Sequence, residues 1–317
     1  MAVDCKRREK PVFSVITAAY NAEEYISQSI QSICDQTFGD MEIIVINDGS
    51  DDATSEIAKG FVDDRIVVID NPCNLGLSAS FNTGINLSRG EFIVRQDADD
   101  ISIPSRLEEQ YEFMKNNQGI VICGSDMDSF GAATGTTNVP QHDGSIKARF
   151  LTGCGVKIPT SVMRRKFIIN NNIRCNPSYQ SLEDLDFFIQ CIRKGATFQN
   201  IKKSLIKYRK HSFNNSRILN YEDLIAIRKS LGEAYFPFLS GHELRFLIGL
   251  IVGNRVNAED LHTYEAVCKK AINEKFSFFG EDRDQISKFI SLKLETLRKV
   301  VSDWKMQSAA RMMGIGL

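Results

Sequence analysis

Carboxylates crowd two short stretches of this chain: Asp97, Asp99 and Asp100 in Gln96-Asp-Ala-Asp-Asp100, and later the pair Glu183-Asp184. Hard divalent cations such as Mg2+ and Mn2+ prefer carboxylate oxygens and keep positions open for phosphate. Two aspartates alternating at a strand end can place one carboxylate on a metal and the other on a ribose. A solvated turn whose aspartates cap the next helix would use the same residues. A calcium EF-hand is excluded, because its sixth position would be Ser102 instead of glycine and its fifth Ile101. Glu183-Asp184 also has two readings. Ser181-Leu-Glu-Asp184 fits a capping box at a helix start, and a carboxylate there can equally take a proton from an attacking hydroxyl.

Three further motifs precede these. Ala18-Ala-Tyr-Asn21 follows one apolar run, Asn47-Asp-Gly-Ser50 follows a second, and Asn74-Leu-Gly76 stands ahead of Asn82. Asp48 could accept the N3–H of uracil while Tyr20 packs on the ring. The same residues make an Asp-Gly turn with Ser50 as a helix cap, and the turn would present the carboxylate. Asn74, Gly76 and Asn82 read as a loop and helix start. His211 stands just past a strand in Tyr208-Arg-Lys-His211; a lone histidine is ordinarily structural or on the surface. In order, the motifs outline a site for a nucleotide diphosphate and a divalent metal.

Alternating elements must position them. Strands are expected over residues 11–18, 41–46, 65–69, 91–95 and 120–124. Helices are expected over 22–35, over 51–61 with Ser50 as cap, over 76–87, and from Pro104 to about 116. Such alternation argues for βαβ units and a mostly parallel, Rossmann-like α/β sheet flanked by helices. In these sheets ligands bind beyond the carboxyl ends of the strands, where the motifs at 18–21, 47–50, 74–76 and 96–100 fall. Beyond residue 131 the pattern loosens, with a helix expected over 182–194 and a strand over 201–208. Helical periodicity takes over after Ser216, near 220–235, 240–252, 257–273 and 284–305. The expected organisation is one domain over 1–215, with 11–125 binding the nucleotide sugar and 126–215 forming the acceptor side, then a helical extension over 216–317.

Composition fits a globular protein: 43% hydrophobic, 25% charged, net charge −1 over 317 residues. The near-zero balance gives nucleic-acid binding no support. Eight scattered cysteines without a Cys-x-x-Cys pair read as buried thiols in a reducing compartment. Residues 1–10 lack the apolar region of a signal peptide, and 246–252 is too short to span a bilayer. The expectation is a cytoplasmic protein, with contact at the inner face of the membrane or with a second copy left to the C-terminal helices.

The order of motifs resembles that of family 2 glycosyltransferases of the GT-A fold, of the bacterial polysaccharide and lipopolysaccharide type. The resemblance covers residues 11–215 and is carried by Ser14–Asn21, Ile44–Ser50, Asn74–Asn82, Gly90–Asp100, Glu183-Asp184 and Tyr208–His211. It implies that Asp99 binds Mn2+ or Mg2+, with Asp97 facing the nucleotide sugar and the metal and Asp100 assisting. Ala18, Ala19, Tyr20, Asn21, Asp48, Gly49, Ser50, Asn74, Gly76, Asn82, Asp97 and Ala98 would line the donor pocket, Asp48 reading the base. Asp184 would be the catalytic base, with Glu183 second, and His211 would reach the metal or the diphosphate. Two positions depart from the family. Phe81 stands where an arginine is frequent, leaving Arg95 to supply a cation. Lys157-Ile-Pro-Thr160 stands where many relatives carry a histidine.

The implied activity is an inverting, metal-dependent transfer of a hexose or N-acetylhexosamine from a UDP-sugar to a saccharide or polyprenyl-linked glycan. A sugar-1-phosphate nucleotidyltransferase would need a Gly- and Arg-rich loop after the first strand, and residues 18–24 have none. A non-catalytic sugar-nucleotide or metal-binding module would keep the aspartates without needing Asp184 and His211.

Overall fold

Apolar, β-branched runs with no polar face become strands covered on both sides. The computed structural model describes residues 10–179, 181–211, 220–252, 258–274 and 283–312. The chain opens with β1 (Phe13–Ala19), α1 (Ile26–Cys34), β2 (Met41–Asn47), α2 (Thr54–Lys59), β3 (Ile66–Asp70), α3 (Leu77–Leu87), β4 (Phe92–Arg95), β5 (Ile101–Ser102) and α4 (Arg106–Asn116). It continues with β6 (Ile122–Gly131), β7 (Gly135–Thr136), α5 (Asp143–Arg149), β8 (Val162–Arg164), α6 (Arg165–Asn170), α7 (Glu183–Arg193) and β9 (Phe198–Lys210).

Among the described residues nine strands form one sheet in the order β3-β2-β1-β4-β8-β6-β9-β5, with β7 on β6. The first four run parallel, so their carboxyl ends share one edge. β8 is inserted antiparallel between β4 and β6, while β6 and β9 run parallel. β5 then pairs antiparallel with β9, Ile101 opposite Lys207. That register draws the turn at 97–100 alongside residues 208–211. Distant stretches of sequence meet there because one two-residue strand pairs with the last long one.

Phe13, Val15, Ile43, Val45, Phe92 and Val94 of the sheet pack against Ile26, Ile30 and Ile33 of α1 and Leu107 and Met114 of α4. Each such side chain contributes about 1.5–3 kcal/mol on full burial. Burial, not capping, therefore holds α1, which has no side-chain cap.

Several expected boundaries move for local reasons. α1 starts at Ile26, not at 22. Asn21 turns left-handed at φ 46°, and the N–H groups of Ala22 and Glu23 donate to Thr54 Oγ1 and Asp52 Oδ2. Ser50 does not cap α2; its hydroxyl accepts from Asn21 N, and Asp52 accepts from Thr54 N near the helix start. Ser181 sits at φ 60° and does not cap α7, whose N-cap position is Leu182 without a side-chain bond. β8 has three residues and β5 two, too short for periodicity to register.

By packing, Met1–Ile146 with Gly155–Leu219 form one compact unit, and Lys147–Cys154 with Asn220–Leu317 another. The boundary expected at 215 lies outside the described residues. The second unit holds α8 (Tyr221–Tyr235), α9 (Gly241–Val252), α10 (Leu261–Asn273) and α11 (Arg283–Met312). Asn220 caps α8 by accepting from Glu222 N and Asp223 N. Leu231, Phe236, Leu247, Ile248, Cys268 and Ile290 are buried in this unit. The 147–154 segment belongs to it through Tyr235 OH and Arg228 Nη2, which donate to the carbonyls of Lys147 and Gly153. No described helix is long and apolar enough to cross a membrane. The seven described cysteines are free thiols, and Cys5 lies outside the described residues.

Candidate active site

At the ends of β1 and β2 two loops are laced together. Asn21 N donates to Ser50 Oγ at 3.0 Å, and Asp51 N donates back to Asn21 Oδ1 at 3.0 Å. Parallel register sets Ala18 beside Ile46 and Ala19 beside Asn47, and Asp48 N donates to the Ala19 carbonyl. Tyr20 stands on this rim with 45% of its surface exposed, an aromatic face turned to solvent at the mouth of the strand ends.

Asp48 is 2% exposed. Its Oδ1 accepts from Asn71 Nδ2 and Leu75 N, at 2.8 and 3.0 Å, and its Oδ2 accepts from Gly76 N at 2.8 Å. Those bonds occupy three of the roughly four acceptor positions of a carboxylate. Asp48 thus anchors the 74–76 loop, helped by Asn74 Oδ1 on Gly76 N. Gly49 makes the approach feasible: its φ is +69°, and a Cβ there would lie 2.4 Å from the Cys73 carbonyl carbon. Only glycine meets both demands without strain. Asn82 is spent on backbone as well, with Nδ2 donating to the Cys175 carbonyl and Oδ1 accepting from Cys175 N. It ties α3 to the segment leading into α7.

β4 delivers the acidic turn. Arg95, 4% exposed, lays its guanidinium 4.8 Å from the centre of the Phe81 ring and donates from Nε to Asp97 Oδ1 at 2.8 Å. A cation from β4 thus lies over the Phe81 ring. Gln96 and Arg106, both fully buried, form the floor. Gln96 Nε2 donates to the carbonyls of Asp97 and Asp100. Arg106 donates to Gln96 Oε1, Ser102 Oγ and the carbonyls of Arg95 and Pro159. Buried donors hold the backbone of the turn, and its carboxylates meet other elements: Asp97 Oδ1 accepts from Arg95 Nε and Asp100 Oδ1 from Arg209 N.

Asp99 Oδ2 lies 2.8 Å from His211 Nε2. Burial, and after it the charge of Asp97, push the Asp99 carboxyl above the usual range. Burial and then Asp97 and Asp99 raise Asp100 well above its own, and its Oδ2 is buried without a partner. Crowded negative charge of this kind is relieved by a cation. Among the described residues no three His, Cys, Asp or Glu side chains converge as a ready metal cage. Asp99 and His211 are the pair that could hold a hard divalent ion, with phosphate and water filling the rest of its shell.

Glu183 and Asp184 open α7, and Asp184 Oδ1 accepts from Leu185 N at 2.7 Å. Burial raises both carboxyls; for Asp184 the bond from Leu185 and the charges of Arg95 and Lys157 pull the other way, and Asp97 adds to the rise. Asp97, Asp99, Asp100 and Asp184 all raise the Tyr208 hydroxyl, after burial. The two carboxylate clusters, over eighty residues apart in sequence, share one electrostatic neighbourhood.

Residue type and spacing alone point to no role for Gln96, Arg106, Tyr25 or Arg209. Gln96 and Arg209 lie inside the quoted motifs, so a signal was there. Tyr25 and Arg106 stand in helical surroundings, where nothing in type or spacing marks a site.

A model described as glycosyl transferase family 2 matches residues 14–173. An uncharacterized glycosyltransferase of Haemophilus influenzae is 35% identical over 235 residues, covering 67% of this chain and 69% of the relative. S. aureus TarS superposes with a TM-score of 0.63 at 18% identity over 93% of this chain and 92% of that one. The mannosyltransferase PcManGT of Pyrobaculum calidifontis does so with a TM-score of 0.50 at 11% identity, covering 96% and 81%. The fold is that of the GT-A glycosyltransferases, and the chain belongs to glycosyltransferase family 2.

Proposed function

We propose that this glycosyltransferase is metal-dependent, takes its sugar from a UDP-sugar, and transfers it with inversion to a hydroxyl of a saccharide or lipid-linked glycan. The observation that carries this reading is the meeting of Asp99 with His211 at 2.8 Å beside the turn that also bears Asp97. TarS was solved with UDP-GlcNAc, and PcManGT with GDP-Man and Mn2+. Both support a nucleotide-sugar donor, and the second supports a cation.

In this reading the strand ends of the parallel half take the nucleotide, with Tyr20 against the base and Asp48 at its polar edge. Asp97, fixed by Arg95, faces the ribose and sugar. A divalent ion on Asp99 and His211 would supply fixed positive charge where the departing diphosphate gains negative charge. On the acceptor side Asp184 takes the proton of the attacking hydroxyl. The acceptor oxygen bonds to the anomeric carbon as the bond from that carbon to the phosphate oxygen breaks, and the electron pair leaves with UDP. Attack from the face opposite the leaving group inverts the centre. Raised by burial, Asp184 is a stronger base than an exposed aspartate once ionised.

The stereochemistry provides the test. From an α-linked UDP-sugar, proton NMR of the product should show the large anomeric coupling of a β-glucoside-type linkage. A product retaining the α configuration would overturn the single-base assignment to Asp184.

A further inference from the structure

Arg209 and Tyr25 take no part in the chemistry above, yet they touch both residues placed on the cation. The Arg209 guanidinium lies over two rings, 4.8 Å from the centre of Tyr25 and 4.5 Å from that of Phe130. Its Nε donates to the Asp99 carbonyl at 2.9 Å, its Nη2 to Gln28 Oε1 at 2.7 Å, and its backbone N–H to Asp100 Oδ1 at 2.9 Å. On Tyr25 also rests the imidazole of His211, stacked with centroids 5.2 Å apart and planes 24° from parallel. One half-buried ring at the start of α1 thus carries a cation and a histidine that both come from the end of β9.

The placement has a physical consequence. His211 lies one residue beyond β9, whose pairing with β6 runs to Lys210. Its ring has Asp99 Oδ2 at one edge and Tyr25 on one face. Arg209 sets the opposite partner, since its side chain grips the backbone of Asp99 while its own N–H holds Asp100. Residues that orient metal ligands commonly change affinity 10–100-fold when removed.

We infer that Tyr25 and Arg209 form a stacked clamp that fixes the relative pose of Asp99 and His211, making them positioning residues for divalent-cation binding. Flat faces are what the clamp needs. A phenylalanine at 25 keeps the face, whereas leucine loses it. A lysine at 209 keeps the charge but loses the planar stack and the Nε bond to Asp99.

Two measurements test this, the second resting on the metal reading above and the first independent of it. In metal-free protein the His211 ring protons, assigned by their absence in His211→Gln, should carry a ring-current shift from Tyr25. Tyr25→Phe should preserve that shift and Tyr25→Leu should abolish it. In calorimetry, the gain in UDP affinity on replacing EDTA by Mn2+ should shrink ~10-fold or more in Tyr25→Leu and Arg209→Lys. Tyr25→Phe should match wild type, and UDP affinity in EDTA should stay near wild type in all three, with melting curves confirming the fold. An unmoved His211 shift in Tyr25→Leu would overturn the clamp, as would an undiminished Mn2+ effect beside a moved shift. If wild-type UDP affinity ignores Mn2+ altogether, the metal reading fails, and the ring-current result alone decides whether the clamp sets His211.

Discussion

Asp184→Asn should lower turnover at saturating donor ~100-fold or more and leave UDP-sugar affinity near wild type. Asparagine keeps the acceptor that meets Leu185 N at 2.7 Å in the native helix start, so the fold should survive. It cannot take a proton. The pH profile sharpens the prediction. Burial first, with Asp97 adding, holds the Asp184 carboxyl above the usual range despite Arg95 and Lys157. The base works when ionised, so turnover should fall as pH drops through that raised value, above the ~4 of an exposed aspartate. The acid limb should vanish from the residual activity of the variant. If Asp184 only serves the helix start, the change should cost no more than ~1 kcal/mol of stability and leave turnover intact. An active, slightly less stable variant would move the base to Glu183, which burial also raises.

Asp99→Ala should remove the dependence of UDP binding on a divalent cation while the protein melts as a folded species. The side chain gives one oxygen to His211 and leaves its backbone carbonyl to Arg209. Truncation therefore deletes the proposed ligand without touching the floor built by Gln96 and Arg106. Calorimetry with Mn2+ and with EDTA should give the same, weakened UDP affinity for the variant. An affinity still strengthened by Mn2+ to the wild-type extent would show that the ion sits elsewhere.

The parallel half of the sheet was legible in the sequence because its strands are mostly apolar, β-branched runs, buried along β1, β2 and β4. The acceptor half was harder to read. β8 and β5 are too short to show a period, yet they bring β6 and β9 into the sheet and His211 to Asp99. The site followed the same division. Asp97 and Asp99 stood out by residue type, whereas Asp184 and His211 were singled out by the resemblance, and the structure sets His211 Nε2 2.8 Å from Asp99 Oδ2. What Asp48 and Asn82 do locally could not. Both spend their polar atoms on backbone amides of loops distant in sequence, and no spacing rule encodes such contacts. Arg95 shows the limit from the other side. The missing cation at Phe81 was visible, but only the fold reveals that the β4 arginine lies over that very ring.

The proposed reaction is transfer from a UDP-sugar assisted by a divalent cation. Its most direct test is UDP release from a panel of UDP-sugars by the purified protein, in Mn2+ or Mg2+ and again in EDTA. At least one UDP-sugar should be turned over with the metal and not with the chelator. Equal release in EDTA would overturn the role of the cation, and release solely from sugars carried on another nucleotide would overturn the UDP-sugar donor.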